Sequence, residues 1–150
     1  MIEAVSHNNL EEVLPLIRQY QEFYKVPNID DDRNREFFSQ FSENGNDGCL
    51  FLFRNSEGVA VAFATVYFTF VSSITAKVGV MNDLYTVPEQ RRKGIGKRLI
   101  NHCLQFTLSK GATRLQWLTA EDNEPAQKLY NSLNTKESTW KIYTYNAMCN

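Results

Sequence analysis

The sequence predicts an α/β protein in which a mixed sheet is flanked by helices. Three observations carry this. Strand-like runs with β-branched and aromatic content crowd the first half of the chain, and strands alternate with helical patterns in the second. The segment Lys77 to Val87 is apolar on both faces, with Val78, Val80 and Leu84 on one side and Met81, Tyr85 and Val87 on the other, so it reads as a central strand covered twice. That strand then runs through a short turn into a basic glycine loop and an amphipathic helix whose first turn falls at about Arg92 to Gly96. A chain of 150 residues, 43% hydrophobic and 13% aromatic, has room for one domain with a proper core, residues 1–150, and none for a second.

Each element has its own signal. Ile2 to Val5 makes a short first strand, and Asn8 with Glu11 forms a capping pair for a helix in which Leu10, Val13, Leu14, Ile17 and Tyr20 recur at helical spacing. This helix runs to about Tyr24 and bends near Pro15, which lacks an N–H for the ladder. Val26-Pro27-Asn28 stops it. Asp30-Asp31-Asp32 precede a second helix, Arg33 to Phe41, and complement its dipole, with a cation-attracting rim as the alternative use. Cys49 to Phe53 and Val59 to Val71 are strands joined by a hairpin turn at Arg54 to Gly58. A further turn at Ser72 to Ala76 leads into Lys77 to Val87. Within that strand Asn82 and Asp83 form a polar pair that must be hydrogen-bonded or used for chemistry. The next helix, with Ile95, Leu99, Cys103 and Phe106 on one stripe, ends at Gly111. Ala112 to Leu118 is a strand, Asn123 caps a short helix with Pro125 in its first turn, and Thr139 to Tyr145 alternates as a last strand. There is no internal repeat or low-complexity segment.

Charge and spacing exclude several classes. The 16 Lys+Arg and 17 Asp+Glu give a net charge of -1, so nothing draws the whole protein to nucleic acid or an anionic membrane. Basic charge is instead local, at Arg91, Arg92, Lys93, Lys97 and Arg98, where a helix start leaves unpaired N–H groups and glycines allow close approach. This place suits an anion. A Walker A loop is excluded because Gly96-Lys97 is followed by Arg98 rather than a hydroxyl residue, and a dinucleotide fingerprint because Leu99 stands where the third glycine belongs. The longest apolar run, Val59 to Val71, is strand-like and too short to span a bilayer. Cys49, Cys103 and Cys149 form no CxxC pair, and the N-terminus has no signal-peptide pattern, which reads as a cytoplasmic protein with free thiols packed as small core residues. His7 and His102 are isolated and make no metal site.

What does fit is Arg91-x-x-Gly94-x-Gly96 after a strand ending in Val87-Pro88. Here the chain resembles the GNAT superfamily of acyl-CoA-dependent N-acetyltransferases, whose pyrophosphate-binding motif is Arg/Gln-x-x-Gly-x-Gly/Ala at this junction. Asn123-x-x-Ala126-x-x-Leu129-Tyr130 is similar to the family segment that lines the pantetheine arm and ends in the catalytic tyrosine. The resemblance covers about residues 82–100 and 117–133. It departs at Leu133-Asn134-Thr135, where many relatives carry Leu-Gly-Phe.

The resemblance implies a mostly antiparallel twisted sheet and acetyl transfer from acetyl-CoA to an amine. The cofactor would lie where the strand ending at Val87 diverges from Ala112 to Leu118. Its pyrophosphate would rest on the loop of Arg91, Arg92, Lys93, Gly94, Ile95, Gly96 and Lys97. The backbone of Leu84, Tyr85, Thr86 and Val87 would pair with the pantetheine amides and steady the oxyanion. Asn123, Ala126 and Lys128 would line the arm, and Tyr130 would be the general acid for the departing thiolate. In the polyamine-acetylating branch a glutamate matches Asn82, and asparagine cannot accept a proton, so the base stays open among Asp83, Glu121, Glu22 and a water chain.

The acceptor side is drawn from Phe23, Tyr24, Asn82, Asp83, the acidic run at 30–32, the strand-turn region near 68–73 and the aromatic residues of 140–145. Aromatic and acidic neighbours suit a small cationic amine such as a polyamine, diamine or amino-acid-like compound. The alternatives are a basic, histone-like protein tail, an acyl-CoA-binding sensor without turnover, and a nucleotide-phosphate-binding protein. Exposed aromatics equally suit a homodimer interface.

Overall fold

The computed structural model describes residues 1–147. Strands β1 (Ile2–Ala4), β2 (Gly48–Arg54), β3 (Ala60–Val71), β4 (Ala76–Thr86) and β5 (Leu115–Gln116) form one sheet in that order. The first four run antiparallel to their neighbours, and β5 is parallel to β4. This is the mixed, mostly antiparallel sheet expected. Helices α1 (Leu10–Phe23), α2 (Asp31–Phe38), α3 (Ile95–Ser109) and α4 (Glu124–Asn131) complete the element order. The chain divides into two compact units, Met1–Leu118 and Thr119–Asn150; the sheet and α1 to α3 belong to the first and α4 to the second. Among the described residues no helix is long and apolar enough to cross a membrane.

Period-two alternation in β2 and β3 gives the sheet two apolar faces. On one, Leu50, Leu52 and Phe63 pack with Leu10, Val13, Leu14 and Ile17 of α1. On the other, Phe51, Phe53, Ala62, Ala64 and Val66 pack with Ile95, Leu99, Cys103 and Phe106 of α3, the stripe read from the sequence. Gly79 of β4 lies against α3, where an added Cβ would sit 2.6 Å from Thr107 Oγ1. Thr107 is fully buried, so Gly79→Ala is expected to cost about 1–3 kcal/mol by overpacking. Urea unfolding checks this, and a second change, Thr107→Ala, should return most of the loss.

The sheet corrects the expected faces of β4. Thr65 pairs with Asp83 but Val66 pairs with Met81, so Asn82 is an extra residue, a β-bulge. A bulge reverses the alternation beyond it. Val80 therefore shares a face with Asp83 and Tyr85, not with Leu84, whereas Met81 shares the α3 face with Leu84. Asn82 is exposed rather than part of a buried pair.

Other boundaries moved for local reasons. The cap of α1 is Asn9, not Asn8, and its Oδ1 accepts from Ser6 N–H rather than from the helix. Asp30 caps α2, its carboxylate accepting from the N–H groups of Asp32 and Arg33, which draws the helix start forward to Asp31. That helix ends at Phe38, and Phe41, beyond it, packs its ring on Tyr67. The α3 helix begins at Ile95, because Arg92 and Gly94 hold positive φ angles of 63° and 78° that no right-handed helix admits. Strand β5 spans two residues instead of Ala112 to Leu118. Thr139 to Tyr145 forms no strand: alternation becomes a strand only where a neighbour completes the ladder, and Trp140 and Tyr145 are 83% and 99% exposed. Cys149 lies outside the described residues. Burial pushes the Cys49 thiol, and burial with the neighbouring Cys49 sulfur pushes the Cys103 thiol, up to about 12; both are core packing, not nucleophiles.

Arg54 ties the start of the first unit together. Its guanidinium donates to Glu3, to Glu12 and to the Gly58 carbonyl, joining β1, α1 and the β2–β3 turn. Those bonds hold the Glu3 and Glu12 carboxyls below their usual range. A carboxyl with a depressed folded pKa contributes stability that is present above the unfolded value of ~4.3 and lost as pH falls through the folded one. The thermal midpoint of Arg54→Met should therefore lie below wild type at neutral pH, with the gap closing as pH drops below about 4. Parallel pH curves would show that the pairing is not responsible.

Candidate active site

The bulge and the glycine loop sit at the two ends of one short segment of β4. Pairing of β4 with β5 is confined to Gly79 and Val80, so from Met81 to Thr86 that edge of β4 has no strand beside it among the described residues. Leu84, Tyr85 and Thr86 lie on this open stretch and Val87 follows directly, while on the opposite edge β3 still holds them, Val87 N–H donating to Val61 O at 3.0 Å. An unpaired strand edge is a template for an extended amide-bearing chain.

Beyond Val87, the loop turns back on itself. Arg91 Nε donates to Thr86 O at 2.9 Å and its guanidinium lies 5.6 Å from the centre of the Tyr85 ring. Lys93 Nζ donates to Gln90. Among the described residues, the N–H groups of Arg92, Lys93, Gly94, Ile95, Gly96 and Lys97 donate to no protein acceptor; the first helical bond is from Arg98 N–H to Gly94 O. Successive free N–H groups around left-handed residues, at a helix start and among basic side chains, form a concave anion cradle. A Cβ at Gly94 would meet nothing within 4 Å, so the glycine is there for its φ of 78° and for open space above the backbone.

On the α1 face the bulge opens a recess of about 150 Å³. Asp83 is its polar centre, 8% exposed, accepting from Thr65 Oγ1 at 2.6 Å and from Asn82 Nδ2 at 3.4 Å. Tyr20, Phe38, Phe63 and Tyr67 supply aromatic walls. Burial, and then the Asp83 charge, hold the Tyr67 phenol well above its usual range. The Tyr20 ring meets Phe63 edge-on at 5.8 Å and Tyr85 at 6.3 Å, linking the recess to the stretch of β4 beyond the bulge. A buried carboxylate ringed by aromatic faces is chemistry for a cation or for an amine that must shed a proton.

Of the acceptor-side residues read from the sequence, the structure brings Asn82 and Asp83 to this recess. Tyr24 caps the end of α1, half exposed, with its ring 4.9 Å from Tyr20 but outside the recess wall. Thr65, Tyr67, Gln21 and Phe38 were not singled out beforehand. The alternation of β3 was the available signal for Thr65 and Tyr67, since both fall on the α1 face with Phe63. In the second unit, Asn123 Oδ1 accepts from Ala126 N–H at 3.4 Å, capping the helix that carries Lys128 and Tyr130. Tyr130 is partly buried, and its carbonyl accepts from Thr135 Oγ1 at 2.9 Å.

Comparison with known proteins shows the family and the fold. Residues 13–134 match the acetyltransferase (GNAT) family. The uncharacterised N-acetyltransferase YhfO of Bacillus subtilis (strain 168) is 31% identical over 131 residues, 87% of this chain and 86% of YhfO. The thialysine N-epsilon-acetyltransferase of Mus musculus is 25% identical over 146 residues, 92% of this chain and 85% of the mouse protein. A crystal structure of a probable acetyltransferase superposes with a TM-score of 0.85 at 27% identity, covering 100% of this chain and 99% of that one. The protein is thus an N-acetyltransferase that uses acetyl-CoA. It belongs to the acetyltransferase (GNAT) family.

Proposed function

We propose that the acceptor is a small cationic primary amine, bound in the recess at the β4 bulge with Asp83 as its partner. The observation that carries this is the buried Asp83 carboxylate inside an aromatic-walled cavity of about 150 Å³. A cavity of roughly that size takes one benzene-sized group, which suits an aminoalkyl arm. The thialysine acetyltransferase relative, by its name, acts on an ε-amine of this kind. A neutral amine is the nucleophile, so an ammonium arriving from water must lose a proton, and Asp83 is the carboxylate in the recess to receive it. Thr65 orients that carboxylate through its Oδ2, leaving Oδ1 toward Asn82 and the recess.

Acetyl-CoA supplies a thioester whose carbonyl carbon takes the amine. The residues fit it: the free N–H groups of Arg92 to Lys97 suit a pyrophosphate, and the open edge at Leu84 to Val87 suits the amides of the arm. Arg91 serves this indirectly, because it closes the loop on Thr86 rather than projecting outward. We assign Asn123, Ala126 and Lys128 to the arm and Tyr130 to the proton returned to sulfur. Gly94→Ala forces a side chain into the left-handed region at about 1–2 kcal/mol, and acetyl-CoA affinity measured by calorimetry should fall roughly 5- to 30-fold with little change in fold. The unpaired thiols of Cys49 and Cys103 support a reducing, cytoplasmic setting, and the exposed aromatic residues at 140–145 support a homodimer.

The test of the acceptor class is a kinetic panel of primary amines, each beside the alcohol of the same skeleton as an inhibitor. Competition by cationic amines and not by the alcohols is expected. Turnover of uncharged amines with equal efficiency would count against a carboxylate-centred recess.

A further inference from the structure

Helix α2 forms one wall of the recess through Phe37 and Phe38. It is only 8 residues long, too short to persist without tertiary support, so whatever fixes it fixes the shape of the recess. Two ion pairs join it to α1, Arg18 with Asp31 and Arg35 with Glu11, and both are exposed, where such pairs hold little. Phe38 anchors it in the core. The remaining tie is of another kind. Gln21 Nε2 donates to Asn34 Oδ1 at 2.9 Å, and Asn34 Nδ2 donates back to Gln21 Oε1 at 2.8 Å. Asn34 is 8% exposed, so neither amide can turn away without leaving a buried polar group unpaired.

This reciprocal pair is placed to control the cavity. Gln21 is itself a wall residue, next in sequence to Tyr20. Phe37 and Phe38 lie three and four residues beyond Asn34, on the same side of α2. We infer that the Gln21–Asn34 pair sets the width of the acceptor recess and so makes the enzyme select a short, unbranched primary amine over one with a ring beside the nitrogen. The inference rests on the acceptor reading above and deepens it from amine class to amine shape.

Steady-state kinetics with a linear diamine and with an amino-sugar test it, on the wild type, Gln21→Ala, Phe37→Ala and Asp83→Asn, with the KM for acetyl-CoA and the thermal midpoint recorded for each. Gln21→Ala should raise KM for the linear diamine about tenfold and leave its kcat and the acetyl-CoA KM within about twofold, while kcat/KM for the amino-sugar rises. Phe37→Ala, half exposed and outside the pair, should widen the recess directly and shift the preference the same way. A loosened fold alone does not create activity on a larger amine. If both variants lose the two activities in parallel, so that preference stays fixed, the inference is overturned. If Asp83→Asn loses nothing, or the wild type acetylates neither amine, the acceptor reading falls and the selection falls with it.

Discussion

Asp83→Asn is expected to lower kcat/KM for a cationic primary amine by roughly 10²- to 10⁴-fold, the range for loss of a positioned base, while acetyl-CoA binds as before. The substitution is close to isosteric. The side-chain oxygen of asparagine still accepts from Thr65 Oγ1, now made at 2.6 Å, so the bulge and the recess keep their shape. What is lost is the negative charge and the ability to take a proton. Both losses fall on the acceptor, which separates this variant from Gly94→Ala, whose effect falls on acetyl-CoA. Two measurements separate the steps: acetyl-CoA should bind normally in calorimetry, and the acetyl-CoA–enzyme complex should stall on rapid mixing with the amine. An Asp83→Asn enzyme with undiminished turnover would remove the carboxylate from the chemistry.

Tyr130→Phe is expected to lower kcat by about 10²-fold or more, with KM for acetyl-CoA little changed. The ring keeps its packing, the Thr135 hydroxyl still donates to the carbonyl of residue 130, and Asn123 still caps the helix. What the substitution removes is the phenol hydroxyl with its proton. A free phenol titrates near ~10 and a thiol near ~8.5, so transfer to the departing thiolate is uphill by only about 2 kcal/mol, a modest cost next to expelling the thiolate unprotonated. A more acidic leaving thiol needs that proton less. The deficit of Tyr130→Phe should accordingly shrink when acetyl-CoA is replaced by an acetyl thioester of a more acidic thiol, both at saturation. Equal loss with both thioesters would mean that the tyrosine holds something in place and gives no proton.

Much of the fold was legible because its signals are local. The apolar stripe of α3, the two-sided burial of β4, the hairpin after Arg54 and the helix cap at Asn123 each follow from a few neighbouring residues. The loop of Arg91 to Lys97 was legible for the same reason, since glycine spacing and basic charge sit within seven positions. The faces of β4 were misjudged because a bulge depends on how Thr65 and Val66 choose partners 18 and 15 residues away, which periodicity in one strand does not contain. The strand expected at 139–145 failed for a related reason: alternation marks a strand that could pair, and pairing is settled by a neighbour. The alternation of β3 puts Thr65 and Tyr67 on the face of Phe63, but it does the same for every second residue of that strand and so marks neither as a site residue. Only once β3 lies beside β4 does the Thr65 hydroxyl meet the Asp83 carboxylate.

The most direct test of the central claim is acetyl-CoA-dependent thiol release over a panel of amines, with the acetylated product identified by mass spectrometry in the same reaction. Release should depend on a cationic primary amine of narrow size, give an N-acetyl product, and fall away in Asp83→Asn and in Tyr130→Phe. Tight acetyl-CoA binding with no release on any amine in the panel, or release that is indifferent to Asp83, would contradict it.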